Sequence, residues 1–232
     1  MCGRYTIIAK AEEIEKRFNV EVPESYSPRY NAAPTQLLPV ITNQNPDGVS
    51  FFHWGLIPSW AKDKSISSKL INARAETLTE KASFKNAVKH RRCLVLADGF
   101  YEWKKSTKKA KIPYRILLTS KELFAFAGLW EAYEDDDQNM VHTFTIITTS
   151  ANTVLSKIHD RMPVILNPEH EKSWLGSEFS TEEHLSLLKP YDENKIEYYT
   201  ISPRVNSVSN DNPQLIDPAP PADQFGNLTL FD

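Results

Sequence analysis

The chain has 232 residues and a net charge of −3, with 41% hydrophobic and 25% charged side chains. That balance is ordinary for a globular protein and excludes a collagen, a coiled coil and a chain disordered throughout. No apolar run reaches the ~18 residues of a membrane span, and the opening MCGRYTIIAKAEEIEK turns charged too soon for a secretory leader.

Residues 10–18 read as a short helix with Ile14 and Phe18 on one face. Residues 49–54 read as a strand. Residues 77–91 read as a helix opened by a Thr77-x-x-Glu80 capping box. Residues 92–97 and 100–104 read as strands joined at Asp98-Gly99, a hairpin signal. Three β-branched or aromatic runs follow, at 113–118, 123–129 and 143–149. Residues 152–159 read as a helix capped by Asn152, and further helices start at Asn167-Pro168 and at Ser180-x-x-Glu183. Residues 198–201 form a last strand. Several strands succeed one another without helices between them. An α+β single domain is therefore expected, its mainly antiparallel sheet curled into a barrel with short flanking helices. The domain is placed at 1–210. The proline-rich tail at 211–232 is expected to be extended or mobile.

Charge is unevenly spread. Residues 85–115 carry ten basic and two acidic side chains, and residues 131–232 carry six basic and eighteen acidic ones. A basic third within an acidic chain points to a local anionic partner. The run Lys104, Lys105, Lys108, Lys109 and Lys111 reads by itself as a solvated hairpin loop. The cysteines are Cys2 and Cys93, with no CxxC and no Cys/His cluster, so neither a metal nor a cofactor is expected.

Cys2 follows the initiator methionine, and aminopeptidase removal of Met1 would leave it as the first residue. It would then offer an α-amine and a thiol, with ordinary pKa values of ~7.7–8.0 and ~8.5. An aldehyde can form an imine with such an amine, and the thiol can close a five-membered thiazolidine ring. With Met1 attached the nitrogen is an amide and this route is shut. There is no phosphate-cradling glycine loop, no paired-carboxylate glycosidase pattern and no GxSxG elbow.

Five stretches occur in order: MCGRY at the start, WGLIPSWAKD at 54–63, INARAET at 71–77, ADGFYEWKK at 97–105 and HDRMPVIL at 159–166. Together they resemble the SOS-response-associated peptidase (SRAP) family, whose members crosslink to abasic sites in single-stranded DNA. The resemblance spans Cys2 to about Pro203. It implies that Cys2 captures the ring-opened aldehyde of an abasic deoxyribose. Asn72 would hold the cysteine or sugar. Glu102 would shuttle a proton, and His159 would open the sugar ring. Arg4, Arg74 and Arg161, each beside one of those residues, would grip phosphates. Trp60 and Trp103 would stack on unpaired bases, and Pro34 would wedge beside the lesion. Trp54, which continues the FFHW strand, reads as core. Taken singly, each has a plain structural alternative: Glu102 a surface charge, His159 a helix cap, Asn72 a turn former, and the arginines ion pairs with Glu76 or Asp160.

The expected partners are single-stranded DNA with abasic sites and replication-fork proteins, with no membrane. The protein is expected to be monomeric and cytoplasmic, nucleoid-associated if bacterial. Two other classes fit part of the pattern: a thiol peptidase using Cys2 with His159 as base, and a non-covalent single-strand binding module that needs the basic segment and tryptophans but not Cys2.

Overall fold

A computed structural model of the chain describes residues 2–106 and 110–228. Lys108 and Lys109 of the basic run lie outside the described residues. The strands in chain order are β1 (Arg4–Ile7), β2 (Arg29–Ala32), β3 (Leu37–Thr42), β4 (Asn45–Trp54), β5 (Asn72–Arg74) and β6 (Arg92–Ala97). They continue with β7 (Gly99–Lys105), β8 (Lys111–Leu118), β9 (Phe124–Glu134), β10 (Met140–Ser150), β11 (Arg161–Pro163) and β12 (Ile196–Thr200). Short helices α1 (Ala11–Phe18), α2 (Ala87–His90), α3 (Pro168–Leu175) and α4 (Thr181–Ser186) flank them.

Strands β4, β3, β6, β9 and β10 pair successively and close on themselves into a five-stranded barrel. Four of its pairings are antiparallel. The β10–β4 pairing is parallel, at Thr143↔His53 and Phe144↔Trp54. The remaining main sheet runs β12-β8-β7-β1-β2 and is antiparallel throughout. The expected curled, mainly antiparallel α+β architecture is thus the observed one. Closure leaves the barrel strands without an open edge. Its interior is apolar: Leu38, Val40, Val95, Phe126, Phe144 and Ile146 are buried. Trp54 is core as expected, stacked 6.2 Å from Phe144, and its indole N–H donates to the Ile71 carbonyl.

The Asp98-Gly99 hairpin is not present. Strand β6 pairs with β3 and β9 in the barrel, whereas β7 pairs with β1 and β8 in the open sheet. The dipeptide is the crossover between the two sheets. A type I′ turn needs positive φ at both central residues, and neither Asp98 nor Gly99 has it. Instead the Asp98 carboxylate accepts from Thr6 Oγ1 at 2.6 Å, from the Ile8 N–H and from Arg115 at 3.2 Å. Gly99 suits this crowded crossover, since an added Cβ would sit 3.0 Å from both Arg115 Nε and Thr6 Oγ1 and those side chains would have to shift to admit it.

The helix expected over 77–91 is also absent. A 3-10 turn at Ala75–Thr77 and separate turns precede the single helical turn of α2. The apolar residues Leu78 and Phe84 lie six apart, which one helix would put on different faces. Breaking the chain into turns buries both, together with Ala87 and Val88. At 152–159 the helix shrinks to a 3-10 turn, Leu155–Lys157, although Asn152 Oδ1 does accept from the Leu155 N–H at 2.9 Å. The tail departs from an extended strand at Pro213–Ile216, a 3-10 turn that buries Leu215. Asp211 anchors it by accepting from the Tyr30 and Asn31 N–H groups and pairing with Arg29 at 2.8 Å.

Candidate functional site

Cys2 enters the fold just ahead of β1. That strand aligns with β7 so that Arg4 faces Tyr101, which sets Glu102, one step along β7, beside the Cys2 end. Glu102 is 4% exposed, not the surface charge a strand glutamate usually is. Cys2 is fully buried. Burial, and secondarily the nearby Glu102 carboxylate, push its thiol well above the ordinary range.

Asn72 opens β5, which lies along β10 with Ile146↔Asn72 and Thr148↔Arg74. Period-two alternation turns Asn72 and Arg74 to one side and the buried Ala73 to the other. The Asn72 side-chain amide donates to the Cys2 carbonyl at 2.8 Å. Its Oδ1 is buried and accepts no hydrogen bond among the described residues.

His159 precedes β11, which pairs with the end of β10 at Ser150↔Arg161. Its Nδ1 lies 3.0 Å from the Arg161 N–H and 2.9 Å from Asp160 Oδ1. When unprotonated, Nδ1 accepts the Arg161 amide; when protonated, it donates to Asp160. The four chemical residues thus come from four separate segments. Direct geometry joins Cys2 to Asn72 by a hydrogen bond and to Glu102 by charge. His159 is tied to the same strand, β10, through Arg161 and Thr148.

The three arginines differ. Arg4 donates to Asn31 Oδ1 at 3.1 Å, to the Val205 carbonyl at 2.8 Å and to the Asn206 carbonyl at 3.3 Å. Desolvation lowers its pKa. Arg161 makes a two-pronged pair with Glu76 at 2.6 and 2.9 Å and also donates to the Thr148 carbonyl. This is the ion-pair alternative the sequence offered. Arg74 is exposed and forms no salt bridge among the described residues.

Trp60 is 57% exposed. Trp103 is half-buried against the cluster of Tyr101, Ile201, Val205 and Leu215, and its indole N–H donates to Asn206 Oδ1 at 2.8 Å. Pro34 sits at the second place of a turn closed by the Gln36 N–H on the Ala33 carbonyl at 3.3 Å. Thr35 follows it at φ 73°, a left-handed conformation costly for a β-branched residue. The turn is held by the Thr35 N–H on the Trp54 carbonyl and by His53 Nδ1 donating to the Thr35 carbonyl.

Sequence reasoning missed Asn31, Thr148 and Asn206, and named Glu76 only as a possible ion-pair partner of the arginines. Asn31 is buried, and its amide donates to the carbonyls of Val205, Ser207 and Asn210. These partners are distant along the chain and no local pattern announces them. Glu76 alone had a signal, as the acidic residue of INARAET.

The chain matches the family described as SOS response associated peptidase (SRAP) over residues 1–208. It is 48% identical over 222 residues to the abasic site processing protein YoqW of Bacillus subtilis, covering 94% of this chain and 99% of that one. It is 36% identical over 238 residues to the abasic site processing protein HMCES of Rattus norvegicus, covering 85% and 67%. A crystal structure of a protein from Bacteroides thetaiotaomicron superposes with a TM-score of 0.86 at 32% identity, covering 94% of this chain and all of that one. Motifs, topology and relatives agree, and the chain belongs to the SRAP family.

Proposed function

We propose that the chain processes abasic sites in single-stranded DNA by capturing them covalently through Cys2 after Met1 is removed. The observation that carries this reading is the Asn72 amide on the Cys2 carbonyl at 2.8 Å, with the buried Glu102 beside the same residue. In the unprocessed chain the Cys2 nitrogen is an amide and its side chain is covered. Loss of Met1 turns that nitrogen into an amine and removes the residue in front of it. The names of the relatives, abasic site processing proteins, support the substrate class.

In this scheme the Cys2 amine adds to C1′ of the ring-opened sugar and forms a carbinolamine. Glu102 protonates the departing hydroxyl, and one water leaves as the imine forms. The Cys2 sulfur then adds to the imine carbon, the nitrogen takes up the proton, and the thiazolidine closes. Asn72 steadies the Cys2 carbonyl, and its second amide atom supplies an acceptor for the new amine. His159 passes a proton to O4′ as the sugar opens. Arg4, Arg74 and Arg161 line the phosphate path, with Trp60, Trp103 and Pro34 against the bases.

Intact-mass measurement before and after exposure to an abasic oligonucleotide tests this. The expected result is loss of the Met1 mass, then a gain equal to the oligonucleotide less one water, absent in Cys2→Ala. Protein lacking Met1 that forms no adduct would sink the reading. Equal affinity for intact and abasic strands without adduct would select the non-covalent binder. For the order of attack, Cys2→Ser should still yield an imine that hydride reduction traps.

A further inference from the structure

The loop carrying Trp60 leaves a groove of about 430 Å³ between itself and the segment before α2, lined also by Ser59, Ser83, Lys85, Asn86 and Glu131. Glu131 projects from β9 and is only 4% exposed. Its Oε1 accepts from Arg91 Nη1 at 3.1 Å. Its Oε2 is buried and accepts no hydrogen bond among the described residues. Burial outweighs Arg91 and raises the Glu131 pKa, as an incompletely satisfied carboxylate should show. A buried acceptor left unmet is costly and calls for a donor.

The groove therefore combines an open indole face, a buried acceptor and a polar rim. We infer that it is a base-recognition subsite that takes one unpaired nucleobase bearing an exocyclic amino group. The base stacks on Trp60 and its amino N–H donates to Glu131 Oε2. Carboxylates read the cytosine amino group in this way. Lys85, Ser59, Ser83 and Asn86 can donate to the ring acceptors that adjoin that amino group. Thymine lacks the amino group, and its one ring donor on that edge, N3–H, lies between two carbonyl oxygens that the carboxylate repels, so the groove disfavours it. This assignment rests on the single-strand reading above and adds a preference at one flanking nucleotide, away from the reacting carbon.

The test uses full-length protein and thymine oligonucleotides, with and without a central abasic site. A single cytosine is moved through the flanking positions and affinity is read by tryptophan quenching. One cytosine position should tighten binding roughly tenfold. Glu131→Gln points an amide N–H2 at the groove and should reverse the preference toward thymine. Trp60→Ala, at an exposed residue, should abolish the preference even if the Glu131 variant fails to fold. Equal binding of cytosine and thymine at every position overturns the inference, as does a preference that survives Trp60→Ala or a folded Glu131→Gln. Lesion-free strands separate the two claims. A cytosine preference there without any adduct on abasic strands rejects covalent capture and keeps the subsite. Adduct without preference does the reverse.

Discussion

The side-chain amide of Asn72 donates to the backbone carbonyl of Cys2 at 2.8 Å, across seventy residues of sequence. This one bond ties the start of the chain to β5 and so to β10 of the barrel. It holds the residue whose nitrogen and sulfur would react without placing a charge beside them. A neutral hydrogen bond is worth about 0.5–1.5 kcal/mol. Asn72→Ala should therefore slow adduct formation by roughly 2- to 10-fold through this contact alone. Asn72→Asp removes the donor and sets a carboxylate against the Cys2 carbonyl, so it should be slower still. Single-turnover kinetics on an abasic oligonucleotide, with protein freed of Met1, gives both rates. Wild-type rates in both variants would dismiss the contact as incidental.

Arg161 and Glu76 provide a test of the phosphate clamp. Their pairing occupies both prongs of the guanidinium and holds the Glu76 carboxyl below the usual range. A DNA phosphate would have to compete with Glu76 for that fork. Glu76→Gln should free it, tighten single-strand binding and steepen the dependence of log affinity on log salt by up to about 0.7, one phosphate contact. The pair is half exposed at Glu76, so the loss of stability should be no more than about 1 kcal/mol. An unchanged salt slope would assign Arg161 to the fold, tying β11 to Thr148.

Asp98 and Arg115 carry a different kind of test. Both are buried, 3.2 Å apart, at the crossover between the barrel and the open sheet. Asp98→Ala leaves the guanidinium without its partner and should destabilise the protein by about 3–5 kcal/mol. Denaturant unfolding should show Arg115→Met partly relieving that loss in the double variant. Burial, partly offset by Thr6, Ile8 and Arg115, raises the Asp98 pKa above its unfolded value. A raised carboxyl pKa favours the folded state most below the unfolded value, near 3.9, and that contribution fades as pH rises through the folded value. Relative to Asp98→Asn, the wild type should therefore gain stability as pH falls from neutral into the carboxylate range. The opposite slope would mean that the ion pair, not burial, governs this group.

The same crossover marks where sequence legibility ends. The strand runs around it are plain because β-branched and aromatic residues repeat there, and β6, β8, β9 and β10 lie near their expected places. The partners of β6 and β7 were not legible. Asp-Gly encodes a local turn signal, but the winning interactions come from Thr6 and Arg115, far away in sequence. Strands β1, β2 and β3 were unread because RYTI, RYNA and LLPVIT are short and lack clean alternation. At the site, MCGRY, INARAET and ADGFYEWKK name the residues, and the hydrogen bond joining the first two motifs follows from the register of β5 on β10. The fork of Arg161 on Glu76 was readable only as one of two alternatives. The grip of Asn31 and Arg4 on residues 205–210 left no trace in local sequence, since it is made to backbone carbonyls.

That grip leads to the last test. Trp103 is held edge-on by its indole N–H, which donates to Asn206 Oδ1 at 2.8 Å, while the Asn206 carbonyl accepts from Arg4. Asn206 thus orients an aromatic ring and steadies an arginine, both assigned here to the DNA path. It is exposed and outside the core, so its truncation should cost little stability. Asn206→Ala leaves the indole free to turn on its β7 anchor, and base stacking, worth about 1–3 kcal/mol per base, should be partly lost. A fall of roughly 3- to 10-fold in single-strand affinity is expected, below the full stacking value because the ring itself remains. Asn206→Asp keeps the acceptor but brings a negative charge toward the phosphate path. It should preserve the emission of Trp103 and still weaken binding, most strongly at low salt, where the charge is least screened. Fluorescence titration of both variants at two salt concentrations reads these effects separately. Full affinity in Asn206→Ala would show that Trp103 needs no such holder, or that the DNA does not pass over it.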